Sequence, residues 1–318
     1  MPASAPPLIL FYNRPFPGSV TFRHLEGIGT LEQTFATLGD PTKVDCCGAC
    51  DFTSDLRWLA QATAVVFHMP TLRGIPLPRK HPGQQWVAWS LESEVNYPEL
   101  ADPAYMRQFE ITMTYRRNAT VWWPYFGPDT EAALLTPPRP KMESTTMVYF
   151  RSSPVDNCDR TAYAAALMRR VKVDSHGSVL HNRDLPEPDK GWETMMRATA
   201  RYKFTLALEN SLAEDYVSEK LFCALISGSI PVYRGAQNVA AFAPADHCFI
   251  NAADFAGPVE LAAYLNWINE HDEAYQKYLA WKHTGLSPNF RTLVKSVRAE
   301  PLCRLCDHLR RAARLDHR

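Results

Sequence analysis

Several features that would assign the protein to a broad class are absent from this sequence. It has no run of the roughly 18 to 20 uncharged apolar residues that a membrane-spanning helix needs. The 34 Lys and Arg residues equal the 34 Asp and Glu residues, so no basic excess favours a nucleic-acid partner. Internal repeats and low-complexity tracts are also missing. The composition therefore argues against a nucleic-acid-binding protein and against a repeat protein. It is compatible with a small anionic ligand bound at a local cationic site.

The N-terminal segment gives no sign of a targeting signal. Residues 1–10 are rich in proline and alanine but lack the charged region and cleavage pattern of a signal peptide. The apolar residues 8–12 fit the first buried strand of a sheet instead. We therefore expect the chain, as given, to be soluble, with any membrane anchor absent from it.

The eight cysteines leave three interpretations open. Cys46, Cys47 and Cys50 cluster early, and Cys303 and Cys306 form a CxxC near the end. A zinc ion shared by the two clusters is disfavoured, because they lie about 250 residues apart and no histidine has the usual ligand spacing. A local disulfide within each cluster is favoured if the compartment is oxidising, and buried free thiols are the alternative.

A proline-rich stretch, residues 136–141, divides the sequence into two halves, because it fits neither a helix nor a central strand. We predict an N-terminal domain over residues 1–140 and a C-terminal domain over residues 141–318. Each half alternates apolar runs with helical segments, which is typical of α/β domains with a parallel sheet. Two such halves would hold a ligand in the cleft between them.

The predicted elements of the two halves follow this alternation. In the first half, strands cover residues 8–12, 64–68, 86–89 and 110–115, and a helix covers residues 54–62 with Ser54 as its cap. In the second half, strands cover residues 147–150, 171–174, 202–208 and 230–233. Helices there cover residues 159–170, 219–226, 261–269 and 273–281.

The sharpest group of polar residues follows the predicted strand 202–208, where ligands bind in open parallel sheets. Ser218 is placed to cap a helix that begins at Glu219, and the free N–H groups of that helix end favour a phosphate. Lys220 adds a full positive charge there, although a lysine in the first turn is unfavourable for the helix itself. The alternative is that Glu219 and Lys220 are ordinary solvated residues. The whole group comprises Glu209, Asn210, Tyr216, Ser218, Glu219 and Lys220.

Two further residues are candidates for chemistry. Glu92 follows the predicted strand 86–89, and a partly apolar pocket there would suit a general base. Arg160 opens a predicted helix and is placed to reach a phosphate from a neighbouring strand end. An ordinary surface position is the alternative for both residues.

The segment from Tyr202 to Gly235 resembles the donor-site motif of the α1,3/4-fucosyltransferases, glycosyltransferase family 10. The matching stretches read YKFTLALENS, DYVSEKL and GSIPVYRG, at fixed spacing. The stretches CDFTSD, AVVFH, QWVAWSLES, FEITMTYRR, VDSHG and LCRLCDH are similar to other parts of the family, so the resemblance covers about residues 44–310. Residues 173–186 and 231–235 look closest to plant core α1,3 enzymes and to the animal members that fucosylate protein.

The resemblance implies a fold and a role for each matching residue. The implied fold is glycosyltransferase type B, two Rossmann-like α/β domains facing a cleft, with the acceptor in the first domain and GDP-fucose in the second. Glu92 matches the general base, Arg160 and Lys220 match the diphosphate contacts, and Glu219 matches the acid near fucose and ribose. Tyr216 and Asn210 match positions that line the nucleotide, and Glu209 and Ser218 belong to the same donor motif. Glu94 stands where the family often has a proline, so the acceptor loop is expected to differ.

The implied reaction is an inverting transfer of L-fucose from GDP-β-L-fucose to a hydroxyl of a glycan or glycoprotein acceptor, in α1,3 linkage to GlcNAc. Glu92 would take the proton of the attacking hydroxyl, and Glu219 would stabilise the oxocarbenium character of the transition state. Lys220, Arg160 and the helix N-terminus would balance the charge of the departing GDP. No metal or other cofactor is required by this scheme, and no DxD pair is present to hold one, so a divalent cation would at most stimulate the reaction.

Alternatives to this function remain open at the level of the sequence. They are a protein O-fucosyltransferase, a type B enzyme that uses another nucleotide sugar, a sugar-binding module without activity, and, least favoured, a redox protein built on the C-terminal CxxC. Family members of animals and plants lie in the Golgi lumen on a membrane anchor, and we expect this compartment or, alternatively, a bacterial cytoplasm. The acceptor and the oligomeric state do not follow from the sequence.

Overall fold

The computed structural model describes residues 6–13, 50–151, 153–188 and 192–315, and its backbone forms two compact units. Unit 1 comprises residues 1–124 and 297–318, and unit 2 comprises residues 125–296. Each unit contains one β-sheet, and every strand pair in both sheets is parallel. The predicted α/β class with two parallel sheets is confirmed.

The sheet of unit 1 has six strands in the order β2-β1-β3-β4-β5-β6. They are β1 (Leu8–Phe11), β2 (Asp51–Thr53), β3 (Ala64–His68), β4 (Gln85–Ser90), β5 (Ile111–Thr114) and β6 (Val121–Trp122). Two short helices, α1 (Met69–Leu72) and α2 (Pro103–Met106), and 3₁₀ turns at Leu56–Trp58 and Pro98–Ala101 lie between the strands. Apolar side chains from the two faces form separate cores, and the helix that ends the described chain, Pro301–Leu315, covers one of them. Strands covered on both faces need the near-continuous apolar sequence that β3 has.

The sheet of unit 2 has five strands in the order β11-β10-β9-β7-β8. They are β7 (Met147–Tyr149), β8 (Val173–Ser175), β9 (Phe204–Leu208), β10 (Ile230–Arg234) and β11 (Ile250–Asn251). The helices are α3 (Thr130–Leu134), α4 (Arg160–Met168), α5 (Trp192–Thr199), α6 (Glu219–Ile226), α7 (Pro258–Glu270), α8 (Asp272–Lys277), α9 (Trp281–Thr284) and α10 (Pro288–Ser296), with 3₁₀ turns at Val239–Phe242 and Ala252–Asp254. Helices α4 and α7 pack on one face of this sheet. Among all the described helices, including α11 (Pro301–Leu315), none is long and apolar enough to cross a membrane.

The predicted helix over residues 54–62 is wrong. Only the 3₁₀ turn Leu56–Trp58 forms there, and its cap is Asp55, which accepts a hydrogen bond from the backbone N of Arg57 at 3.0 Å, rather than Ser54. Leu56 and Trp58 are 51% and 37% exposed, and only Leu59 and Ala62 pack against the core, so the segment lacks a continuous buried apolar face. A short helix without such a face gains little from tertiary packing and does not persist.

The division into units differs from the predicted domain boundary in two respects. The change of unit lies between Pro124 and Tyr125, not at residue 140, and α11 belongs to unit 1 although unit 2 separates it in sequence from the rest of that unit. Helix α11 joins unit 1 because Leu302, Leu305 and Leu309 are buried against the strands of its sheet.

The cysteines also pair differently from the prediction. Cys50 forms a disulfide with Cys306 across 256 residues of sequence, so the early cluster is joined to the late CxxC rather than closed on itself. Both residues lie in the core that α11 completes in unit 1, so the disulfide joins α11 to the residue that precedes β2. Cys303 is disulfide-bonded as well, and Cys46 and Cys47 lie outside the described residues.

The proline-rich stretch 136–141 is not a free linker but is fixed within unit 2 by two lysines, the buried Lys282 and the half-buried Lys141. The ammonium of Lys282 donates to the carbonyl oxygens of Leu134 at 2.6 Å and Thr136 at 3.2 Å. The ammonium of Lys141 donates to the carbonyls of Ala200 at 3.1 Å and Gly228 at 2.7 Å. Neither lysine has a carboxylate partner among the described residues, and burial lowers the pKa of each to about 8.

We expect the replacement Lys282→Met to change how stability depends on pH. The folded-state pKa of Lys282 lies below its unfolded value, so the unfolded chain binds more protons than the folded chain between about pH 8 and 10. The penalty that the buried ammonium imposes on folding therefore decreases as the pH rises. Relative to the variant, wild type should gain about 2 kcal/mol in the free energy of unfolding between pH 7 and pH 10. Urea titrations at several pH values measure this, with the exposed Lys277→Met as the control. A difference that stays constant with pH would contradict the prediction.

Candidate functional site

The predicted donor-site residues lie at the carboxyl edge of the sheet in unit 2. Strand β9 ends at Leu208 and is followed by the buried residues Glu209 and Asn210. Helix α6 begins beside them, and its N-cap is Ser218, whose hydroxyl accepts a hydrogen bond from the backbone N of Lys220 at 3.4 Å. The predicted cap and the predicted bounds of this helix agree with the structure. Its N–H groups point to the edge where parallel sheets bind ligands.

Glu209 anchors the start of helix α6. Its side chain is fully buried and accepts hydrogen bonds from the backbone N of Ser218 at 2.8 Å and from the Ser218 hydroxyl at 2.7 Å. The ammonium of Lys220 lies 3.2 Å from Oε2 of the same carboxylate, the oxygen that also accepts from the Ser218 hydroxyl. With no exposed surface, the side chain of Glu209 serves to position Lys220, and its predicted contact with the donor stays a prediction.

Lys220 is held by a set of negative and polar groups. Its Nζ donates to the hydroxyl of Ser218 at 2.8 Å and pairs with the carboxylates of Glu209 at 3.2 Å and Glu219 at 2.9 Å. Burial acts to lower the pKa of Lys220, but the two carboxylates outweigh it and raise that pKa above its usual value. The lysine therefore stays charged, which is the state that a phosphate contact requires.

Arg160 is more deeply enclosed than a surface phosphate contact would be. It is 2% exposed, and its guanidinium donates to the carbonyl oxygens of Val155 at 2.7 Å and Leu208 at 3.3 Å. Its buried Nε has no hydrogen-bond partner, and no carboxylate pairs with it among the described residues. Burial and the neighbouring charge of Arg151 lower the pKa of Arg160. A bound anion would accept a hydrogen bond from the unused donor and neutralise the buried charge of Arg160.

Two arginines of this edge were not predicted from the sequence. Arg151 follows β7, is 5% exposed, and pairs with Asp156 at 3.5 Å. Arg234 ends β10, donates to the carbonyl of Cys158 at 2.6 Å, and lies over the ring of Tyr163 at 5.0 Å. Their position at the ends of β7 and β10 is the signal that could have identified them, because neighbouring parallel strands end at the same edge.

Tyr216 and Asn210, the two residues predicted to line the nucleotide, are buried beside this edge of the sheet. Tyr216 is 2% exposed, and its ring packs edge-on against Tyr125 at 6.1 Å. Asn210 is 8% exposed, and its carbonyl accepts from the backbone N of Asn157 at 3.2 Å. Gly235 closes the same region: a Cβ there would lie 2.5 Å from Cγ of Glu209, so the position has no room for a side chain.

Glu92 lies in unit 1, at the carboxyl edge of that sheet. It follows β4, is half-buried, and accepts a hydrogen bond from the side-chain amide of Asn96 at 3.3 Å. It lines a cavity of about 200 Å³ beside the ends of β4 and β5. Glu94 lines the same cavity and is bound by Tyr115 and Arg116. Glu94, the residue that departs from the family pattern, is therefore ion-paired and lines the same cavity as Glu92.

The eight predicted residues thus divide between the two units. Seven of them gather at one sheet edge of unit 2: Arg160, Glu209, Asn210, Tyr216, Ser218, Glu219 and Lys220. Glu92 alone belongs to unit 1. The edge of unit 2 can bind an anion through Lys220 and the start of α6, and the cavity of unit 1 offers a carboxylate to a polar ligand.

Comparison with known proteins agrees with this division. The model of "Glycosyltransferase family 10 (fucosyltransferase) C-term" matches residues 140–317, and that of "Fucosyltransferase, N-terminal" matches residues 4–126. The dog GDP-fucose protein O-fucosyltransferase 3 is 32% identical over 80% of this chain and 57% of its own length. A fucosyltransferase-like protein of Arabidopsis thaliana is 35% identical over 71% of this chain and 43% of its own length. The chain spans about half the length of these curated relatives.

Among solved structures, a crystal structure of an α1,3-fucosyltransferase with GDP-fucose is 18% identical, with a TM-score of 0.48 over 88% of this chain and 83% of that chain. The two family models together cover both units, and the C-terminal model alone matches more than half of the sequence. The chain therefore belongs to glycosyltransferase family 10, the fucosyltransferases.

Proposed function

We propose that this chain transfers L-fucose from GDP-β-L-fucose to a hydroxyl of a glycan acceptor, with inversion at the anomeric carbon, and that the product carries an α1,3 linkage to GlcNAc. The observation that carries the proposal is the charged Lys220 at the start of α6, fixed by a buried carboxylate at the carboxyl edge of a parallel sheet. A helix N-terminus with a fixed cation beside it is suited to a diphosphate.

The roles follow from charge and position. Glu92, in the cavity of unit 1, takes the proton of the attacking hydroxyl. Lys220, Arg160 and the N–H groups of α6 balance the negative charge of the departing GDP, and Glu219 stabilises the positive charge that develops on fucose. The scheme assigns no step to a metal, since side chains supply the positive charge, and we expect a divalent cation to stimulate the reaction at most.

A second acceptor class is favoured by the relatives. The dog relative is named as a GDP-fucose protein O-fucosyltransferase, which implies a protein hydroxyl rather than a sugar hydroxyl as the nucleophile. The chemistry at the donor would be unchanged, because either oxygen needs a base and a departing GDP. The Cys50–Cys306 disulfide supports an oxidising compartment such as the Golgi lumen over a bacterial cytoplasm.

The test is GDP release from GDP-fucose against a panel of GlcNAc-terminated glycans, an N-glycan core and folded Ser/Thr-containing domains. Wild type should turn over GDP-fucose with one acceptor class, and GDP-mannose and UDP-galactose should be poor donors. The variant Lys220→Ala should lose about a hundredfold in kcat/KM, the typical effect of removing a fixed group that stabilises transition-state charge. Lys277→Ala, an exposed lysine of the same unit, is the control. Failure to bind GDP or GDP-fucose would overturn the proposal.

A further inference from the structure

The ammonium of Lys220 already has polar partners on several sides without any ligand. Of its three N–H donors, it uses two in hydrogen bonds to Ser218 and Glu219, and it forms an ion pair with Glu209 at 3.2 Å. A donor phosphate that binds to Lys220 therefore competes with these three partners.

The three partners are not equivalent. Glu209 has no exposed surface and Ser218 is 1% exposed, and the two are bonded to each other through both the backbone N and the hydroxyl of Ser218. Glu219 is 39% exposed at its side chain. Displacing either buried group would leave a buried polar atom unpaired, whereas the carboxylate of Glu219 can turn into water.

We propose that Glu219 is an internal counter-ion of Lys220 which the donor diphosphate replaces, so that its carboxylate becomes available to the reacting sugar only once the donor is bound. This inference rests on the proposed function. It assigns Glu219 two opposed effects: the residue competes with the diphosphate for Lys220 in the free enzyme, and it serves catalysis in the complex.

The competition can be measured on GDP alone. A partly exposed ion pair is weak, so removing it should improve affinity by a factor on the order of five. Isothermal titration of Glu219→Gln should therefore give GDP binding about fivefold tighter than wild type, with guanosine, which has no phosphate, bound equally by both. The kcat of the same variant should fall by about tenfold or more, so that affinity and turnover change in opposite directions.

A second variant separates contact from simple charge. Glu219→Asp keeps the negative charge but draws the carboxylate back by one methylene and weakens its contact with Lys220. If the diphosphate must displace the contact between Glu219 and Lys220, both variants should bind GDP more tightly. If the charge of Glu219 merely repels the diphosphate, only the Gln variant should do so. Glu214→Gln, an exposed glutamate in the same segment, is the matched control and should change GDP affinity less than about twofold.

Each outcome decides a different point. Tighter GDP binding by both variants supports the exchange. Tightening by Gln alone, or weaker GDP binding by both because Glu219 itself contacts the nucleotide, overturns it while leaving fucosyl transfer intact. A wild-type protein that binds no GDP would overturn the proposed function itself.

Discussion

Replacement of Glu92 by Gln should lower kcat by about a hundredfold to ten-thousandfold while leaving GDP affinity unchanged, the range that a positioned general base contributes. Glutamine retains the shape of the side chain and its contact with Asn96 but cannot accept a proton. Single-turnover measurements with saturating GDP-fucose separate this loss from any change in product release.

Glu94 provides the sharpest comparison for this prediction. It lines the same cavity, but its carboxylate is bound by Tyr115 and Arg116, and these partners lower its pKa although burial opposes them. Glu94→Gln should therefore affect acceptor KM more than kcat. If Glu94→Gln abolishes turnover and Glu92→Gln does not, the base is the other carboxylate of the cavity and our assignment is wrong.

Replacement of Glu209 by Ala should cost about 3 kcal/mol in the free energy of unfolding, close to what the loss of one partner of a buried ion pair costs. The change leaves Lys220 without its buried counter-ion and removes the acceptor for two hydrogen bonds from Ser218. Urea denaturation measures the loss, and Glu209→Gln, which keeps an acceptor, should lose less. Donor affinity should fall as well, because the start of α6 and its lysine are no longer fixed.

An exposed glutamate of the same unit serves as the control for that measurement. Glu273→Ala, at the start of α8, should change stability by less than about 0.5 kcal/mol. If Glu209→Ala is as stable as this control, Glu209 does not anchor Lys220 in solution, and the positions of both residues would need another explanation.

The parts of the fold that sequence predicts are those with strong local signals. All five residues of β3 are buried and the first four are apolar, and α6 carries a serine cap directly before its first turn, so the bounds of both agree with prediction. Strands β2 and β6 were not predicted, because two or three residues carry too little periodicity.

The parts that sequence does not predict depend on contacts between distant segments. Nothing in the residues around Cys50 indicates that its partner is Cys306, since pairing depends on where α11 packs. Glu209 was assigned to the donor because it adjoins the motif, but only the packing of β9 against α6 shows that its carboxylate is fully buried. Burial of a polar residue is a property of its neighbours in space, which spacing along the chain does not encode.

The place of α11 in unit 1 has a consequence for the order of events during synthesis. Unit 2, residues 125–296, is continuous, so all of its strands and helices leave the ribosome before α11 does. Unit 1 is interrupted, and one face of its sheet lacks its covering helix until residues 301–315 have been translated. Because domains generally fold as units while the chain emerges, the later domain in sequence is the first that can be completed. The nascent chain must meanwhile keep an apolar sheet face out of contact with other chains, and the packing of α11 ends that exposure.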